Sequence, residues 1–264
     1  MYAAIATDLD GTLLDAGETI TTFTAETLRA AATRGIELII ATGRHVRDVR
    51  RLTADLGLPI SLITTNGARV HDSDGSLLFA ENLAADHVRT LIQPELARGS
   101  LMSLYLDDRR LSCVHEGYEL REGEPELGER HADLSQHSGE GVAKVLYTGR
   151  PARLAEIEAN IRQRLGEQVA VTYSQPDYLE VMAAGVNKGQ ALSSLLARRG
   201  IDLAQCAAFG DGLNDAEMLQ AVGHPFRMAN ANPRLTALLP GVPEAGHHDE
   251  AGVAHQIRKA LALI

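Results

Sequence analysis

Two carboxylates, Asp8 and Asp10, follow the apolar run 2–6 and precede the turn formed by Gly11 and Thr12. The run is typical of a buried parallel strand, because its apolar residues are consecutive rather than alternate. Ligands of open α/β sheets bind at the carboxyl ends of the strands, and unpaired carboxylates are costly to bury. The pair therefore indicates a metal or a reaction site, although an Asx-type turn is the simpler explanation for an isolated Asp-x-Asp.

Two further segments carry groups that suit an anion. The segment of Ala41, Thr42, Gly43 and Arg44 comes directly after the largely apolar strand predicted at 37–40, where a small hydroxyl residue and a glycine let backbone amides approach a phosphate. Lys188 opens a predicted helix, where its charge opposes the helix dipole, so neutralising a phosphate explains it better than helix stability does. The plain alternatives are a strand-to-helix turn and a solvated lysine.

A second acidic cluster follows the predicted strand 206–209. Asp211, Asn214 and Asp215 lie within one five-residue stretch. Helix capping and the helix dipole explain one of these carboxylates but not the whole set. Hard oxygen ligands from two strand ends, together with a lysine, are typical of Mg²⁺ bound beside a phosphate. The four segments together predict such a site, with Mn²⁺ as the alternative ion.

The elements that must position these segments alternate between strand and helix in the first third of the chain. They are predicted at 2–7 (strand), 24–34 (helix), 36–41 (strand), 45–56 (helix) and 60–64 (strand). A glycine follows each helix, as expected just after a helix C-terminus. The order predicts a parallel sheet, and the turn residues 72–75 predict a hairpin after it.

The middle of the chain has a different pattern, with hairpins and a polar stretch at 116–140 that is predicted to be loop with some helix. Its predicted elements are a helix at 84–97, strands at 101–106, 110–114 and 142–148, a helix at 151–165, and strands at 168–173 and 177–182. The first pattern then resumes with a helix at 188–199, a strand at 206–209, a helix at 213–221, a strand near 226–229, and helices at 233–239 and 250–262. We therefore predict an α/β protein whose Rossmann-like parallel-sheet core, residues 1–83 and 185–264, is interrupted by an α+β cap domain at 84–184.

Composition excludes several classes of partner. The 264 residues include 25 basic and 35 acidic side chains, a net charge of −10, whereas nucleic acids and anionic membranes attract clustered Lys and Arg. The basic cluster 44–51 is more simply the solvated face of a helix. Two isolated cysteines, Cys113 and Cys206, indicate a reducing compartment. No leader pattern and no apolar run of about 20 residues is present, so we expect a cytoplasmic protein without a membrane partner.

In these motifs the chain resembles the haloacid dehalogenase-like superfamily, whose four motifs match DLDGT, ATGR, NKG and GDGLND in order and spacing. Over its whole length it is similar to the Cof-type phosphatases, which carry a large α/β cap between the second and third motifs. No motif position departs from the pattern, so the resemblance implies an intact enzyme. It also implies a small-molecule phosphate ester as substrate, since some members of the similar bacterial branch hydrolyse pyridoxal 5′-phosphate and sugar phosphates.

The resemblance implies a role for each motif residue. Asp8 is the nucleophile that becomes an aspartyl phosphate, and Asp10 is the general acid for the leaving alcohol and then the base for water. Lys188 neutralises the phosphate and orients Asp8, while Asp215 supports Lys188 or the metal shell. The remaining implied contacts are to the phosphate, from Thr42, Gly43, Asn214 and the backbone of Leu9, and to Mg²⁺, from the Asp8 side chain, the Asp10 main-chain carbonyl and Asp211.

Substrate specificity is expected to come mainly from the cap, because a lid over the strand ends excludes water and adds contacts. Arg44 and His45 on the core are possible specificity residues. The cap candidates, each equally explained as ordinary surface or core, are Tyr105, Asp107, Asp177, Tyr178 and Glu180.

Three other functions compete with a phosphatase. A phosphomutase would return the phosphoryl group to the substrate. A phosphorylatable receiver also uses clustered Asp, Thr and Lys, but it would be about half as long, with its acceptor on a later strand. A non-catalytic binding or structural protein remains open because fold does not fix function, but it would be expected to have lost Asp8, Asp10 or Lys188. The oligomeric state is expected to be a monomer or a weak homodimer.

Overall fold

The computed structural model describes residues 2–120 and 128–263. The chain divides into two compact units: a core unit, Met1–Phe79 with Asn187–Ile264, and an inserted unit, Ala80–Val186. The predicted domain boundaries, after residues 83 and 184, stay a prediction.

Strands and helices are numbered in chain order. The strands are β1 (Ala4–Thr7), β2 (Glu37–Ala41), β3 (Ile60–Thr64), β4 (Arg69–His71), β5 (Leu77–Ala80), β6 (Ser100–Tyr105), β7 (Arg110–Val114), β8 (Glu129–His131), β9 (Lys144–Gly149), β10 (Val169–Gln175), β11 (Tyr178–Ala183), β12 (Cys206–Gly210) and β13 (His224–Arg227). The α-helices are α1 (Thr22–Ala32), α2 (Val46–Thr53), α3 (Ala85–Leu91), α4 (Pro94–Ala97), α5 (Pro151–Leu165), α6 (Lys188–Arg199), α7 (Ala216–Ala221), α8 (Pro233–Leu238) and α9 (Gly252–Ala260).

The core unit is built on a seven-stranded sheet with the order β13-β12-β1-β2-β3-β4-β5. The five strands from β13 to β3 are parallel to their neighbours, and β3 and β4 pair antiparallel. The predicted α/β class with a parallel core sheet is confirmed.

Both faces of this sheet are covered, which explains the continuous apolar runs of its strands. Along β1, Ile5 packs in the cluster that contains residues of α1, α2 and α9, whereas Ala4 and Ala6 pack in the cluster on α6, α7 and α8. This alternation follows from the two-residue period of a strand. The sheet is thus fixed between two helical layers, and its strand ends form a rigid edge.

The carboxyl ends of β1, β2, β3 and β12 meet at that edge, because these neighbouring strands run parallel. In register, Thr7 of β1 lies beside Phe209 of β12 and Ile40 of β2. The segments that follow Thr7, Ala41, Thr64 and Gly210 are therefore brought together.

Gly189, in the first turn of α6, marks the close packing of this helix against α7. A Cβ at this position would lie 2.6 Å from the backbone carbonyl carbon and oxygen of Glu217. Alanine is ordinarily favoured over glycine in a helix by about 1 kcal/mol, but a clash with backbone cannot be relieved by side-chain rotation. We therefore expect Gly189→Ala to destabilise the protein by about 1–3 kcal/mol.

A urea-unfolding midpoint tests this prediction, with Gln190→Ala as the matched control. Gln190 is the next residue of the same helix and is exposed, so its replacement should change stability by no more than about 0.5 kcal/mol. A Gly189→Ala variant as stable as the control would show that α6 and α7 can separate without cost.

The inserted unit contains a six-stranded sheet with the order β10-β11-β9-β6-β7-β8. Its strands pair antiparallel except for β7 and β8, which are parallel. Side chains of α3, α4 and α5 pack with one face of this sheet in a single apolar cluster.

Three predicted elements of the chain are corrected. The single helix predicted at 84–97 is two helices, because Pro94 opens α4 and holds Gln93 in an extended conformation, with φ −64° and ψ 130°. The polar stretch 116–140 contributes the strand β8, and its residues 121–127 lie outside the described part of the chain. The strand predicted near 226–229 begins earlier, at His224, because Pro225 is tolerated on an edge strand.

In the part of the chain that the structure describes, no helix combines the length and the apolar character that crossing a membrane requires.

Candidate active site

The loop after β1 is shaped by Gly11. Its φ is +69°, a left-handed conformation that favours glycine, and a Cβ there would lie 2.6 Å from Asp211 Oδ2. Thr12 Oγ1 donates a hydrogen bond to Asp211 Oδ1 at 2.9 Å. The first and the fourth motif are therefore in direct contact at the sheet edge.

Lys188 joins the carboxylates of these two motifs. Its Nζ donates to Asp8 Oδ1 at 2.8 Å and to Asp215 Oδ1 at 2.7 Å, and all three side chains are buried. The Asn187 side chain caps α6 by accepting from the Gln190 amide at 2.7 Å, which makes Lys188 the first residue of the helix. Helix capping thus positions the lysine between the two acids.

Asp215 is held by three donors. Besides the Lys188 ammonium on Oδ1, the backbone amides of Asp211 and Gly212 donate to Oδ2 at 3.0 and 2.9 Å. A Cβ at Gly210 would lie 2.5 Å from the Asp215 Cβ, so the end of β12 must be glycine for the acid to lie there. Of the two roles the resemblance implies for Asp215, the geometry shows the contact with Lys188.

The site carries more negative than positive charge. Burial raises the pKa of Asp8 well above its usual range; Lys188 opposes this rise, whereas Asp215, Asp211 and Asp10 add to it. Burial and then Asp215 raise the pKa of Asp211 to about 7. Burial disfavours the charged Lys188, but the two carboxylates raise its pKa. The single positive charge of Lys188 does not neutralise the carboxylates of Asp8, Asp211 and Asp215.

This charge excess fits a divalent cation. Oxygen atoms of Asp8, Asp211 and Asp215 all lie within 4.8 Å of one another, and carboxylate oxygens are the ligands that Mg²⁺ prefers. Because Asp215 already accepts three hydrogen bonds, Asp8 and Asp211 have more capacity left for a metal. A cation would also oppose the rise in their pKa values, since it favours the ionised carboxylates.

The Asp10 side chain lies outside this cluster and pairs with Arg44. Arg44 Nε donates to Asp10 Oδ2 at 2.9 Å and to Oδ1 at 3.1 Å, and its Nη2 donates to Glu18 Oε2 at 3.1 Å. Assigning the whole basic cluster to a solvated helix face is therefore wrong for Arg44. It holds for the exposed residues Arg47, Arg50 and Arg51.

The second motif forms a hydrogen-bonded turn at the same edge. Thr42 is fully buried; its Oγ1 accepts from the Arg44 amide at 3.1 Å, and its carbonyl accepts from the Asn66 amide at 3.0 Å. Gly43 is partly exposed in this turn, and Leu9 is buried, with its carbonyl accepting from Leu14 N at 2.9 Å. Thr42 is thus fixed by one hydrogen bond within its own turn and by one to the loop after β3.

His45, a possible specificity residue, caps a helix. Its Nδ1 accepts from the Arg47 amide at 3.2 Å at the start of α2, and its side chain is buried. The structure thus gives His45 a local structural role, and its contact with a substrate stays a prediction.

Asn66 is a site residue that the sequence analysis missed. It follows β3 with φ +55°, and its Oδ1 accepts from Asn214 Nδ2 at 3.1 Å. The adjacent Gly67, at φ +103°, could not carry a Cβ, which would lie 2.4 Å from the Asn187 carbonyl oxygen. The Asn-Gly pair after an apolar strand was the available signal, because both residues tolerate left-handed conformations.

Two of the cap candidates have structural partners within the inserted unit. Glu180 and Lys144 form a buried ion pair, and Lys144 Nζ lies 4.2 Å from the centre of the buried Tyr105 ring. Asp107 is exposed and Asp177 and Tyr178 are partly exposed. A specificity role for all five candidates stays a prediction.

Comparisons with known proteins agree on one family. A family model described as haloacid dehalogenase-like hydrolase matches residues 5–257. A putative phosphatase from Haemophilus influenzae is 35% identical over 274 residues, covering 99% of this chain and 98% of that protein. An HMP-PP phosphatase from Cronobacter sakazakii is 35% identical over 262 residues, covering 96% of this chain and 93% of that protein.

A solved structure shows the same fold. The chain matches a haloacid dehalogenase-like hydrolase from B. subtilis with a TM-score of 0.85 at 24% identity, over 97% of this chain and 99% of that one. The family match spans all four motifs and the inserted unit. The chain therefore belongs to the haloacid dehalogenase-like hydrolases.

Proposed function

We propose that this haloacid dehalogenase-like phosphatase hydrolyses small phosphate esters with Mg²⁺, through an aspartyl phosphate on Asp8. The observation that carries the proposal is the buried chain of contacts from Asp8 through Lys188 to Asp215. It fixes one carboxylate oxygen of Asp8 and a positive charge beside it. Phosphoryl transfer needs mainly such positioning and charge neutralisation.

Asp8 is the proposed nucleophile. Lys188 holds Oδ1, and among the described residues of the core unit no hydrogen bond is formed with Oδ2. The second oxygen is therefore the one that can attack phosphorus. Attack forms the Asp8–phosphate bond and breaks the bond between phosphorus and the leaving oxygen, which divides hydrolysis into two easier steps. Lys188 reduces the repulsion between the carboxylate and the anionic ester.

Asp10 is the proposed acid and base. It gives a proton to the leaving alcohol in the first step and takes one from water in the second. Arg44 contacts both oxygens of this carboxyl group, with Nε on Oδ2 and Nη2 on Oδ1, and this forked contact fixes its orientation. Arg44 is thereby proposed as a positioning residue for Asp10, in addition to its possible contact with the substrate.

The phosphate is proposed to bind at the turn formed by Thr42 and Gly43, with the Leu9 backbone, Asn214 and Lys188 completing the site. Thr42 and Asn214 are each fixed by a bond to Asn66. Such fixed donors need little reorganisation when charge moves onto the phosphoryl oxygens.

Asp8, Asp211 and the Asp10 main-chain carbonyl are the proposed Mg²⁺ ligands, and Asp215 is proposed to support Lys188. When bound, the ion supplies charge neutralisation for the phosphoryl oxygens. Thr12 fixes the orientation of Asp211 through its 2.9 Å hydrogen bond.

The substrate is proposed to be a small organic phosphate. The similar protein from Cronobacter sakazakii is named for HMP-PP, so HMP-PP joins pyridoxal 5′-phosphate and hexose phosphates as candidates. Measuring kcat/KM for this panel tests the proposal. Release of inorganic phosphate supports it, formation of a phosphate isomer would instead support a phosphomutase, and no reaction by folded, Mg²⁺-loaded protein would contradict both.

Replacing Asp10 should affect esters according to their leaving group. We expect Asp10→Asn to lower kcat/KM for a hexose phosphate by about 10²–10⁴. Acetyl phosphate has a leaving group that needs little protonation, so its kcat/KM should fall by no more than about tenfold. Because kcat/KM reports events up to the first irreversible step, the base role of Asp10 in the second step does not enter the comparison.

The control for this experiment is Glu18→Gln, which removes the other carboxylate that Arg44 contacts. Glu18 is exposed, so both esters should react nearly as with the unmodified enzyme. Equal losses for the two esters in Asp10→Asn would show that Asp10 is not the general acid.

A further inference from the structure

A second group of metal-ligating side chains lies outside the candidate active site. His247, His248 and Asp249 precede α9, and one ligand atom from each lies within 4.8 Å of the others. Asp249 Oδ2 is 3.7 Å from His247 Nδ1 and 3.9 Å from His248 Nε2. A tetrahedral Zn²⁺ site with bonds of about 2.0–2.1 Å places its ligand atoms about 3.4 Å apart. The two separations from Asp249 Oδ2 exceed this value by only a few tenths of an ångström, and the two imidazole nitrogens lie within 4.8 Å of each other.

The ring of His248 is oriented by a group outside the cluster. Its Nδ1 lies 2.8 Å from the Leu14 carbonyl oxygen. A carbonyl oxygen only accepts, so Nδ1 carries the proton and, in the neutral ring, Nε2 has a free lone pair on the side of Asp249. A histidine that donates from one ring nitrogen to a backbone carbonyl and presents the other is the usual arrangement of metal-binding histidines.

Asp249 and the backbone of His248 are also held from outside. The Ala16 amide donates to Asp249 Oδ1 at 2.6 Å, which leaves Oδ2 as the oxygen near both imidazoles. The His248 amide donates to Asn230 Oδ1 at 3.2 Å. These contacts reduce the conformational freedom that the ligands would lose on binding a metal.

His247 is the most adaptable of the three residues. Its Nδ1 accepts from the Asp249 amide at 3.2 Å, a long hydrogen bond that a metal could replace. Its side chain is 40% exposed, so water can complete a four-coordinate shell.

We propose that His247, His248 and Asp249 form a second metal site, for a nitrogen-preferring divalent ion such as Zn²⁺. Two imidazoles and a carboxylate suit Zn²⁺ or Co²⁺, whereas the all-oxygen active site suits Mg²⁺. The partners that orient the site, Leu14 and Ala16, belong to the segment that continues from the active-site loop. Asn230, which accepts from His248, also donates to the Gly11 carbonyl at 2.7 Å. An ion at this site would therefore hold the loop 11–16 in place.

Titration of the full chain with Co²⁺ in saturating Mg²⁺ tests the proposal. Co²⁺ is the probe because it absorbs visible light strongly in a tetrahedral site, whereas Co²⁺ in an octahedral site of oxygen ligands absorbs only weakly. We expect one Co²⁺ per chain with this spectrum, displaced by Zn²⁺. In His247→Asn and Asp249→Asn the affinity should fall by roughly 100-fold or more, at least as much as the loss of an outer-shell contact costs.

Both substitutions preserve the local hydrogen bonds. An asparagine at position 247 can still accept from the Asp249 amide, and an asparagine at position 249 can still accept from the Ala16 amide. The control is His87→Asn in the inserted unit, which replaces a partly exposed histidine that contacts Gln168 and should bind Co²⁺ like the unmodified chain. Zn²⁺ should raise the Tm of the unmodified chain and of this control, but not of the two site variants.

Absence of Co²⁺ binding by the unmodified chain, or equal binding by the two site variants, would overturn the proposal. Long-range ¹⁵N NMR of the histidine rings gives an answer without any substitution. Zn²⁺ must shift the ring nitrogens of two histidines adjacent in sequence and leave those of His87 unchanged. Zn²⁺-induced shifts seen only for histidines other than His247 and His248 would also overturn the proposal.

Discussion

Asp8→Asn is expected to lower kcat by a factor on the order of 10⁴ or more while the protein stays folded. The amide has no negative charge with which to attack phosphorus, so the covalent step is lost. The fold should persist because the amide oxygen of the new side chain could still accept from Lys188, which also keeps its 2.7 Å contact with Asp215. Turnover of the best ester of the panel and the thermal unfolding curve of the same preparation measure the two effects.

The matched control for this substitution is Asp55→Asn. This variant carries the same Asp-to-Asn change at an exposed position after α2, and its turnover should match that of the unmodified enzyme. A folded Asp8→Asn variant that keeps more than about a tenth of the turnover would show that another group attacks the ester.

Removal of divalent metal is expected to lower turnover by about 100-fold or more, with full recovery on adding Mg²⁺. Without a cation, Asp8 and Asp211 repel each other and the phosphate, and burial disfavours their ionised forms. Turnover after exhaustive dialysis against EDTA, with the residual metal measured by elemental analysis, gives the result.

Asp211→Asn separates metal binding from other effects of dialysis. The amide is a weaker ligand, so the Mg²⁺ concentration for half-maximal turnover should rise at least about tenfold, with Asp55→Asn again as the control. Full turnover by protein shown to be free of metal would contradict the metal requirement.

The parallel core could be predicted because its signals are local. Consecutive apolar residues, as in 38–41, mark strands that are covered on both faces, and glycines such as Gly35 and Gly57 mark helix ends. The motifs at strand ends then follow from topology alone, since parallel neighbours end at one edge. Lys188 could be singled out as a site residue by another local signal, since a lysine at the start of a helix opposes the helix dipole. In the structure it contacts Asp8 and Asp215.

The side-chain contacts that orient the site could not be predicted from the sequence, because they join residues that are far apart along the chain. Arg44 reaches Asp10 across 34 residues, and Asn214 reaches Asn66 across 148 residues. Nothing in the spacing of such residues indicates which side chains will meet, since the meeting depends on loop conformations. Arg44 was placed with the solvated arginines because its neighbours have that pattern.

In the inserted unit, too, some elements and contacts could not be predicted from the sequence. The strand β8 lies in a polar stretch, and its pairing with β7 is a contact between backbones, which leaves little trace in side-chain pattern. Pro94 was a local signal for a helix break, because the residue before a proline disfavours the helical conformation, and the prediction of one helix at 84–97 did not use it. Candidate residues such as Glu180 could not be told from structural ones, because a buried ion pair with Lys144 needs its partner strand to be known.

Chemical trapping can identify the residue that carries the phosphoryl group during turnover. Enzyme mixed with acetyl phosphate and Mg²⁺ is quenched in acid, reduced with borohydride and digested, and the peptide that contains residues 8–12 is analysed by mass spectrometry. An aspartyl phosphate is reduced to homoserine, so we expect homoserine at position 8, dependent on substrate and absent from Asp8→Asn. Reduction at another acid, or an unchanged Asp8 in enzyme that is turning over, would contradict this expectation.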